Sequence, residues 1–322
     1  MSSSNLKLPS NAVWFVTGCS SGIGYSLISS VLSTPGHRIV VLSRNPSTIK
    51  LPSTSNDSNT LLQSVDLASS ASIADAFKAT LDKFGRVDVV VNNAGYSLLG
   101  EFESINEEKS RELFEINYWA PVTITRHAMG IMRDVNPKTG PIGGVIAQIS
   151  SCGGYQAAPG LAPYSASKFA LEGFTESVSR EVDPEWNIRF AVIEPGSVKT
   201  KWGSANMDGS FKQHGAYVGK NLRTEIMRSI QANIESKIAA DPDAVADVLA
   251  AVLRGEKGDW DGKEVLRLPV GADAWALVMG DTLVQGKMFK KWRDISESTS
   301  TTEIKETLTS LGFLKNVDEV ST

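Results

Sequence analysis

Short apolar runs alternate with longer amphipathic stretches along this chain. Val13-Trp14-Phe15-Val16, Val87-Asp88-Val89-Val90-Val91 and Val145-Ile146-Ala147-Gln148-Ile149 are nearly continuous in apolar residues. That pattern suits strands buried on both faces rather than strands with one wet face. The pattern predicts strands over 12–17, 38–43, 60–65, 87–91, 144–150, 188–193 and 264–268, with helices between them. The longest helical candidate is 106–135, and a second spans 162–182. Strand and helix in alternation predict an α/β fold, a parallel sheet of about seven strands flanked by helices.

Three stretches lack a period. Residues 45–59 are rich in Ser, Pro, Asn and Thr and read as a loop that replaces most of one crossover helix. Residues 136–143 form a Pro/Gly-rich turn before the fifth strand. Residues 296–303, rich in Ser and Thr, predict a mobile tail, followed by a short helix over 304–314. No shift in composition marks a second domain. A polar segment, 1–11, therefore precedes one domain over 12–293, with a C-terminal extension over 294–322.

Composition narrows the class. The chain has 322 residues, 41% hydrophobic and 21% charged, as ordinary globular proteins do. A net charge of −4 and a pI near 5.6 argue against nucleic-acid binding. The densest basic cluster, Lys290-Lys291-Trp292-Arg293, reads as a solvated helix end. The two cysteines, Cys19 and Cys152, and the scattered His37, His127 and His214 give no metal-ligand spacing. The polar start MSSSNLKLPSN lacks the apolar core of a secretory signal, and no apolar run is long enough to span a bilayer. A cytoplasmic protein without disulfides is expected.

Two motifs carry chemistry. The first strand feeds Gly18-Cys19-Ser20-Ser21-Gly22-Ile23-Gly24, and a helical stretch follows. A strand, a glycine loop and a helix N-terminus present backbone N–H groups and the helix dipole to a phosphate. Gly18 permits a tight turn, while Gly22 and Gly24 permit close approach of backbone and helix. The second motif is Tyr164 and Lys168 in YSASK. Four residues apart on a helix, they share a face. A lysine charge roughly 5 Å from a phenol, at an effective dielectric of about 20, favours the phenolate by about 3 kcal/mol, or roughly two pKa units. The expectation is a phenol tuned downward, towards proton transfer near neutral pH.

Together these segments resemble the short-chain dehydrogenase/reductase family, most of all its fungal reductases and its hydroxysteroid dehydrogenase branch. TGCSSGIG at 17–24 fits the family's nucleotide loop, and NNAG at 92–95 fits its fourth-strand motif. Ser151, thirteen residues before Tyr164, has the spacing of its catalytic serine. EPGSVKT at 194–200 fits its post-catalytic Pro-Gly motif, and Asn117 in FEINYW falls where the family places its helix asparagine. The resemblance runs over roughly 12–268 and implies a Rossmann-type doubly wound sheet.

The resemblance also assigns roles. Tyr164 is the expected general acid in reduction, and Lys168 its tuner and a ligand of the nicotinamide ribose. Ser151 holds the substrate oxygen, and Asn117 holds a water linking Lys168 to solvent. Gly18, Ser20, Ser21, Gly22, Ile23 and Gly24 cradle the cofactor. Asn93, Ala94 and Gly95 line the adenosine ribose, and Pro195, Gly196, Val198 and Thr200 approach the nicotinamide. Asp66 and Leu67 resemble the pair that contacts adenine, and Asp66 also reads as a helix N-cap. At the end of the second strand Ser43 stands where NAD-binding folds carry a carboxylate, and Arg44 follows it. A guanidinium suits a 2′-phosphate, so NADP(H) is the expected cofactor.

The substrate side is less defined. Tyr96, Gly153, Tyr155, Trp202 and Met207 are the expected wall residues, the last two on a family lid over 200–237 that could equally be packing against the core. An apolar, aromatic wall suits a bulky hydrophobic ketone or alcohol. The reading is an NADPH-dependent carbonyl reductase. Its alternatives are an NAD(P)-dependent alcohol dehydrogenase run oxidatively, and a non-redox dinucleotide-binding regulator, isomerase or cyclase. A homodimer through the helices at 106–135 and 162–182 is implied, with the C-terminal extension obstructing a tetramer.

Overall fold

The computed structural model describes residues 8–200, 206–219, 223–225, 227 and 235–311. They form two compact units, Met1–Val278 and Met279–Thr322.

The first unit is built on strands β1 (Val13–Thr17), β2 (Arg38–Ser43), β3 (Thr60–Ser64), β4 (Val89–Asn92), β6 (Gly144–Ile149), β7 (Ile188–Pro195) and β9 (Leu266–Val270), which pair in parallel in the order β3-β2-β1-β4-β6-β7-β9. Two short strands, β5 (Ser97–Leu98) and β8 (Met207–Asp208), pair apart from this sheet. The sheet is that expected from the sequence, with edges differing by one or two residues. The largest shift is in β9, which begins at Leu266 and takes in Pro269. An edge strand tolerates a residue without an N–H to donate.

The apolar strands divide their residues between two cores because successive side chains face opposite ways. Trp14, Val16, Val91 and Ala147 face α1 (Gly22–Leu32) and α6 (Pro242–Leu253), where Leu27, Val31 and Leu249 meet them. Val13, Phe15, Val90 and Ile146 face α2 (Ser70–Phe84) and α4 (Ala120–Gly130), where Ile73, Phe77 and Ile124 meet them. The connection from β2 to β3 carries only a 3₁₀ turn at Pro46–Thr48. Ile49 and Leu51 pack on the first core, and the Tyr25 hydroxyl donates to the Lys50 carbonyl at 3.0 Å.

The long helical candidate is not one regular helix. α3 (Glu107–Phe114) passes into a π turn at Glu115–Trp119, then α4, then a second π turn at Ile131–Val135. Periodicity does not reveal an inserted residue inside a helix, and such turns gather at functional sites. α5 (Ala162–Glu181) follows as expected.

The C-terminal expectations need correction. α7 (Ala272–Glu297) runs through the start of the expected tail, and α8 begins at Thr302 and ends at Ser310. Within the second unit Thr301 caps α8 by accepting from Ile304 N at 3.3 Å, and Lys305 pairs with Glu297 at 3.2 Å. The Ser/Thr content that suggested a tail supplies the cap.

At the N-terminal edge of the sheet Arg86 and Asp88 form a buried pair at 2.6 Å, each side chain 2% exposed. Asp88 Oδ2 also accepts from Val13 N at 2.9 Å, and Arg86 Nη2 donates to the Pro141 carbonyl at 3.2 Å. Asp88→Ala leaves the guanidinium buried without its counter-charge, so it is expected to lower unfolding free energy by about 3–5 kcal/mol. Urea denaturation followed by circular dichroism measures this. A loss below about 1 kcal/mol, the range of exposed pairs, would show that the pair is not desolvated.

Candidate active site

The strand order reverses between β1 and β4, and ligands of such sheets bind outside the strand ends at that point. The glycine loop leaves β1 there. Gly18 and Gly22 have φ of +69° and +58°, in the left-handed region. A Cβ on Gly18 would stand 2.8 Å from Ala94 Cα, and one on Gly22 would stand 2.7 Å from Thr200 Cγ2. Ser21 is the N-cap of α1 but makes no side-chain cap bond, and the first turn has no acidic residue. This helix end therefore keeps its positive pole for an anion. Thr17 Oγ1 accepts from Asn93 N and Ala94 N, both at 3.0 Å, while Asn93 Nδ2 donates to Thr17 O at 2.9 Å. These bonds fasten the Asn93–Gly95 turn to the glycine loop.

Ser151, Tyr164 and Lys168 converge above β6. The Ser151 hydroxyl is hydrogen-bonded to the Tyr164 phenol, and its oxygen also accepts from Gly153 N at 3.0 Å. Lys168 Nζ donates to the Ile149 carbonyl at 2.8 Å and lies 5.7 Å from the Tyr164 ring centre. Asn117 sits in the first π turn, 1% exposed. Its Oδ1 accepts from Tyr96 N at 3.1 Å, and its Nδ2 donates to Tyr96 O at 2.9 Å and to Ser167 Oγ at 3.2 Å. A Cβ on Gly95 would lie 3.1 Å from Asn117 Oδ1 and 3.6 Å from Lys168 Nζ, so these two side chains approach Gly95 together, although Asn117 does not line the cavity that Ser151, Tyr164 and Lys168 share.

The electrostatics run against the sequence expectation. Burial raises the Tyr164 phenol well above its ordinary value, with the Ser151 hydrogen bond opposing. Burial also lowers the Lys168 ammonium to about 8, opposed by the charge of Glu172. The two side chains lie near each other, but burial is the largest cause of both shifts, and the ammonium is directed at a carbonyl. Tyr164 is thus a protonated phenol at neutral pH, the state a proton donor requires.

These groups open on a cavity of about 560 Å³. Ile23, Asn93, Gly95, Ser151, Tyr164, Lys168, Pro195, Gly196, Val198 and Thr200 line it. Gly153 lines it too, but Tyr155 does not; the wall there is Gln156, Ala157, Ala158 and Pro159. Tyr96 and Met207 instead join a buried cluster with Leu98, Leu161 and Tyr164. Trp202 lies outside the described residues. The strand pair holds the expected lid segment here: Ser97 N donates to Asn206 O at 2.8 Å and Leu99 N to Asp208 O at 2.9 Å.

On the nucleotide side Ser20 and Arg44 are exposed at the ends of β1 and β2. Ser43 Oγ accepts from Asn45 N at 3.3 Å. Asp66 is not the cap of α2. Ser69 caps it, accepting from Ser72 N at 3.3 Å, while Asp66 Oδ1 accepts from Ala68 N at 3.0 Å. Leu67 packs against the second core.

Sequence reasoning missed Asp273, in the first turn of α7. It lines the cavity and accepts from Ser197 N at 2.7 Å through Oδ2. Leu277, one turn on, lines the cavity with it. No motif marks Asp273, because it lies beyond the segment, roughly 12–268, that carries the resemblance.

Residues 12–209 match the short chain dehydrogenase family. The chain is 40% identical over 283 residues to oxidoreductase calM of Penicillium decumbens, covering 87% of this chain and 90% of that one. It is 38% identical over 239 residues to an uncharacterized oxidoreductase of Schizosaccharomyces pombe, covering 74% and 77%. A short-chain dehydrogenase structure from Streptomyces avermitilis superposes with a TM-score of 0.77 at 28% identity, over 91% of this chain and all of that one. Sheet order and relatives agree, and the chain belongs to the short-chain dehydrogenase family of oxidoreductases.

Proposed function

We propose that this protein is an NADPH-dependent carbonyl reductase that acts on bulky, hydrophobic, uncharged ketones. The observation that carries the reading is the Ser151–Tyr164 hydrogen bond beside buried Lys168, at the base of a largely apolar cavity. The uncapped N-terminus of α1 and the glycine cradle fit a dinucleotide pyrophosphate. When bound, the dinucleotide supplies the hydride. Ser151 orients the carbonyl oxygen by donating to it. The Tyr164 phenol gives that oxygen its proton, and the Lys168 ammonium stabilises the phenolate left behind. Asn117 secures the turn at Tyr96 and links it to α5 through Ser167. The Asp273 carboxylate in the cavity lining disfavours carboxylate and phosphate substrates. Both cysteines are free thiols, in keeping with a cytoplasmic enzyme.

Tyr164→Phe removes only the hydroxyl. Folding and dinucleotide binding are expected to survive while turnover falls by roughly two to four orders of magnitude. Dinucleotide oxidation across a ketone panel measures it, and near-normal turnover would falsify the donor assignment.

Arg44 sets the cofactor. A charge-assisted contact contributes about 1.5–3 kcal/mol, so NADPH is expected to bind roughly ten- to a hundredfold more tightly than NADH. Arg44→Ala is expected to remove that preference while leaving NADH nearly unaffected. Equal losses for both cofactors in a fluorescence titration would assign Arg44 to the surface alone.

The assembly is a homodimer. Trp119, 51% exposed beside α4, and Phe169, 46% exposed on α5, give these helices apolar surface for a second copy. Light scattering is expected to show a dimer, and Trp119→Glu with Phe169→Glu to yield a monomer. A wild-type monomer or tetramer would refute this interface.

A further inference from the structure

A second charged cluster lies beneath the site. Glu172, one turn beyond Lys168 on α5, is 4% exposed. Its Oε1 accepts from Ser150 Oγ at 2.5 Å, and Ser150 is the chain neighbour of Ser151. Its Oε2 accepts from Arg267 Nη1 at 2.5 Å. The same Nη1 reaches Glu194 Oε1 at 3.4 Å, and Nη2 donates to Glu176 Oε2 at 2.8 Å. Glu194 is 0% exposed and directly precedes Pro195, and its other oxygen has no hydrogen-bond partner among the described residues.

This cluster joins three segments. β6 delivers Ser151, α5 delivers Tyr164 and Lys168, and β7 delivers Pro195 and Gly196. One guanidinium on β9 binds the carboxylates that follow Lys168 and precede Pro195. Buried ion clusters add little net stability against an apolar replacement, because desolvation cancels much of the attraction. The three-way contact therefore points to a use beyond stability.

We propose that Glu172 and Arg267 are positioning residues: they hold the serine strand end, the Tyr164–Lys168 helix and the Pro195 turn in one register, with the Glu172 carboxylate fixed one helical turn from Lys168. This rests on the reductase reading of the site. The groups facing the cluster are Lys168, Glu172, Glu176 and Arg180 from α5, the last paired with Glu176 at 2.6 Å, Glu194 from β7 and Arg267 from β9, and Cys152 senses Glu194 together with Asp273 from α7. Burial holds Lys168 down at about 8, and Glu172 opposes that shift. Burial raises Glu172, with Ser150 and Arg267 pulling it back. Burial and the charge of Glu172 lift Glu194 to about 7, against Arg267. Removing the Glu172 charge lets the Lys168 pKa fall further, so the ammonium is lost at a lower pH.

The test compares wild type, Glu172→Gln, Arg267→Lys and Tyr164→Phe in full-length protein. It reads kcat and KM for ketone from pH 5 to 10, NADPH affinity by fluorescence over the same range, and thermal melting. In Glu172→Gln, kcat is expected to fall roughly tenfold with KM little changed. The alkaline limbs of both kcat/KM and NADPH affinity are expected to move down by about half a pH unit or more. Arg267→Lys keeps the charge and loses the fork, so kcat is expected to fall while the alkaline limb stays in place. Wild-type kcat and unmoved limbs in both variants, with Tyr164→Phe inactive, overturn the proposal and leave the reductase reading intact. Turnover by Tyr164→Phe instead overturns that reading. If Glu172→Gln does not fold, Arg267→Lys decides: wild-type kcat in that variant overturns the proposal.

Discussion

The ammonium of Lys168 is the constraint around which the site is arranged. It is held in a residue only 4% exposed, with its Nζ on the Ile149 carbonyl. A cation placed there would discharge or disrupt its surroundings unless fixed dipoles and charges compensate. The Ile149 carbonyl at a strand end and the Glu172 carboxylate one helical turn away provide that compensation. The same strand end leads into Ser151, and the same helix carries Tyr164. Stabilising one charge thereby fixes the relative placement of the other two groups.

The sheet makes this placement possible. Parallel strands direct all their C-terminal ends to one edge, and the glycine loop, the Asn93 turn, Ser151 and Pro195 each leave from such an end. Continuous apolar strands then lock the edge by feeding two cores at once. The bonds of Thr17 and Asn93 act across that edge, so two loops far apart in sequence behave as one rigid rim.

Much of this is legible in the chain because it depends on local spacing. Apolar runs gave the strand positions, and the four-residue interval placed Tyr164 and Lys168 on one face. What depended on depth was not legible. The phenol rises rather than falls because its burial is a property of the packed molecule, set by Leu98, Leu113 and Leu161 around it. The Arg267–Glu172 pair joins residues 95 positions apart, with no motif to announce it. Asp273 reaches the cavity through a helix whose start sequence analysis had not marked. The π turn at Asn117 is likewise silent, since an extra residue in a helix alters no composition. Tyr155 was placed by proximity to Ser151, but the 3₁₀ turn at Cys152–Gly154 brings Gly153 to the cavity and leaves Gln156 and Ala157 as its wall.

The pairing of β5 with β8 has a bearing on how the packing around Tyr164 tolerates change. Ser97 N donates to Asn206 O and Leu99 N to Asp208 O, both from backbone to backbone. Backbone bonds do not depend on side-chain identity, so this fastening is blind to most substitutions in the segment it holds. Met207 can be exchanged to repack the cluster it forms with Leu98 and Tyr164 while the segment keeps its anchorage. Packing around the phenol and loop attachment are thereby separate variables, and mutation can explore the first without loosening the second.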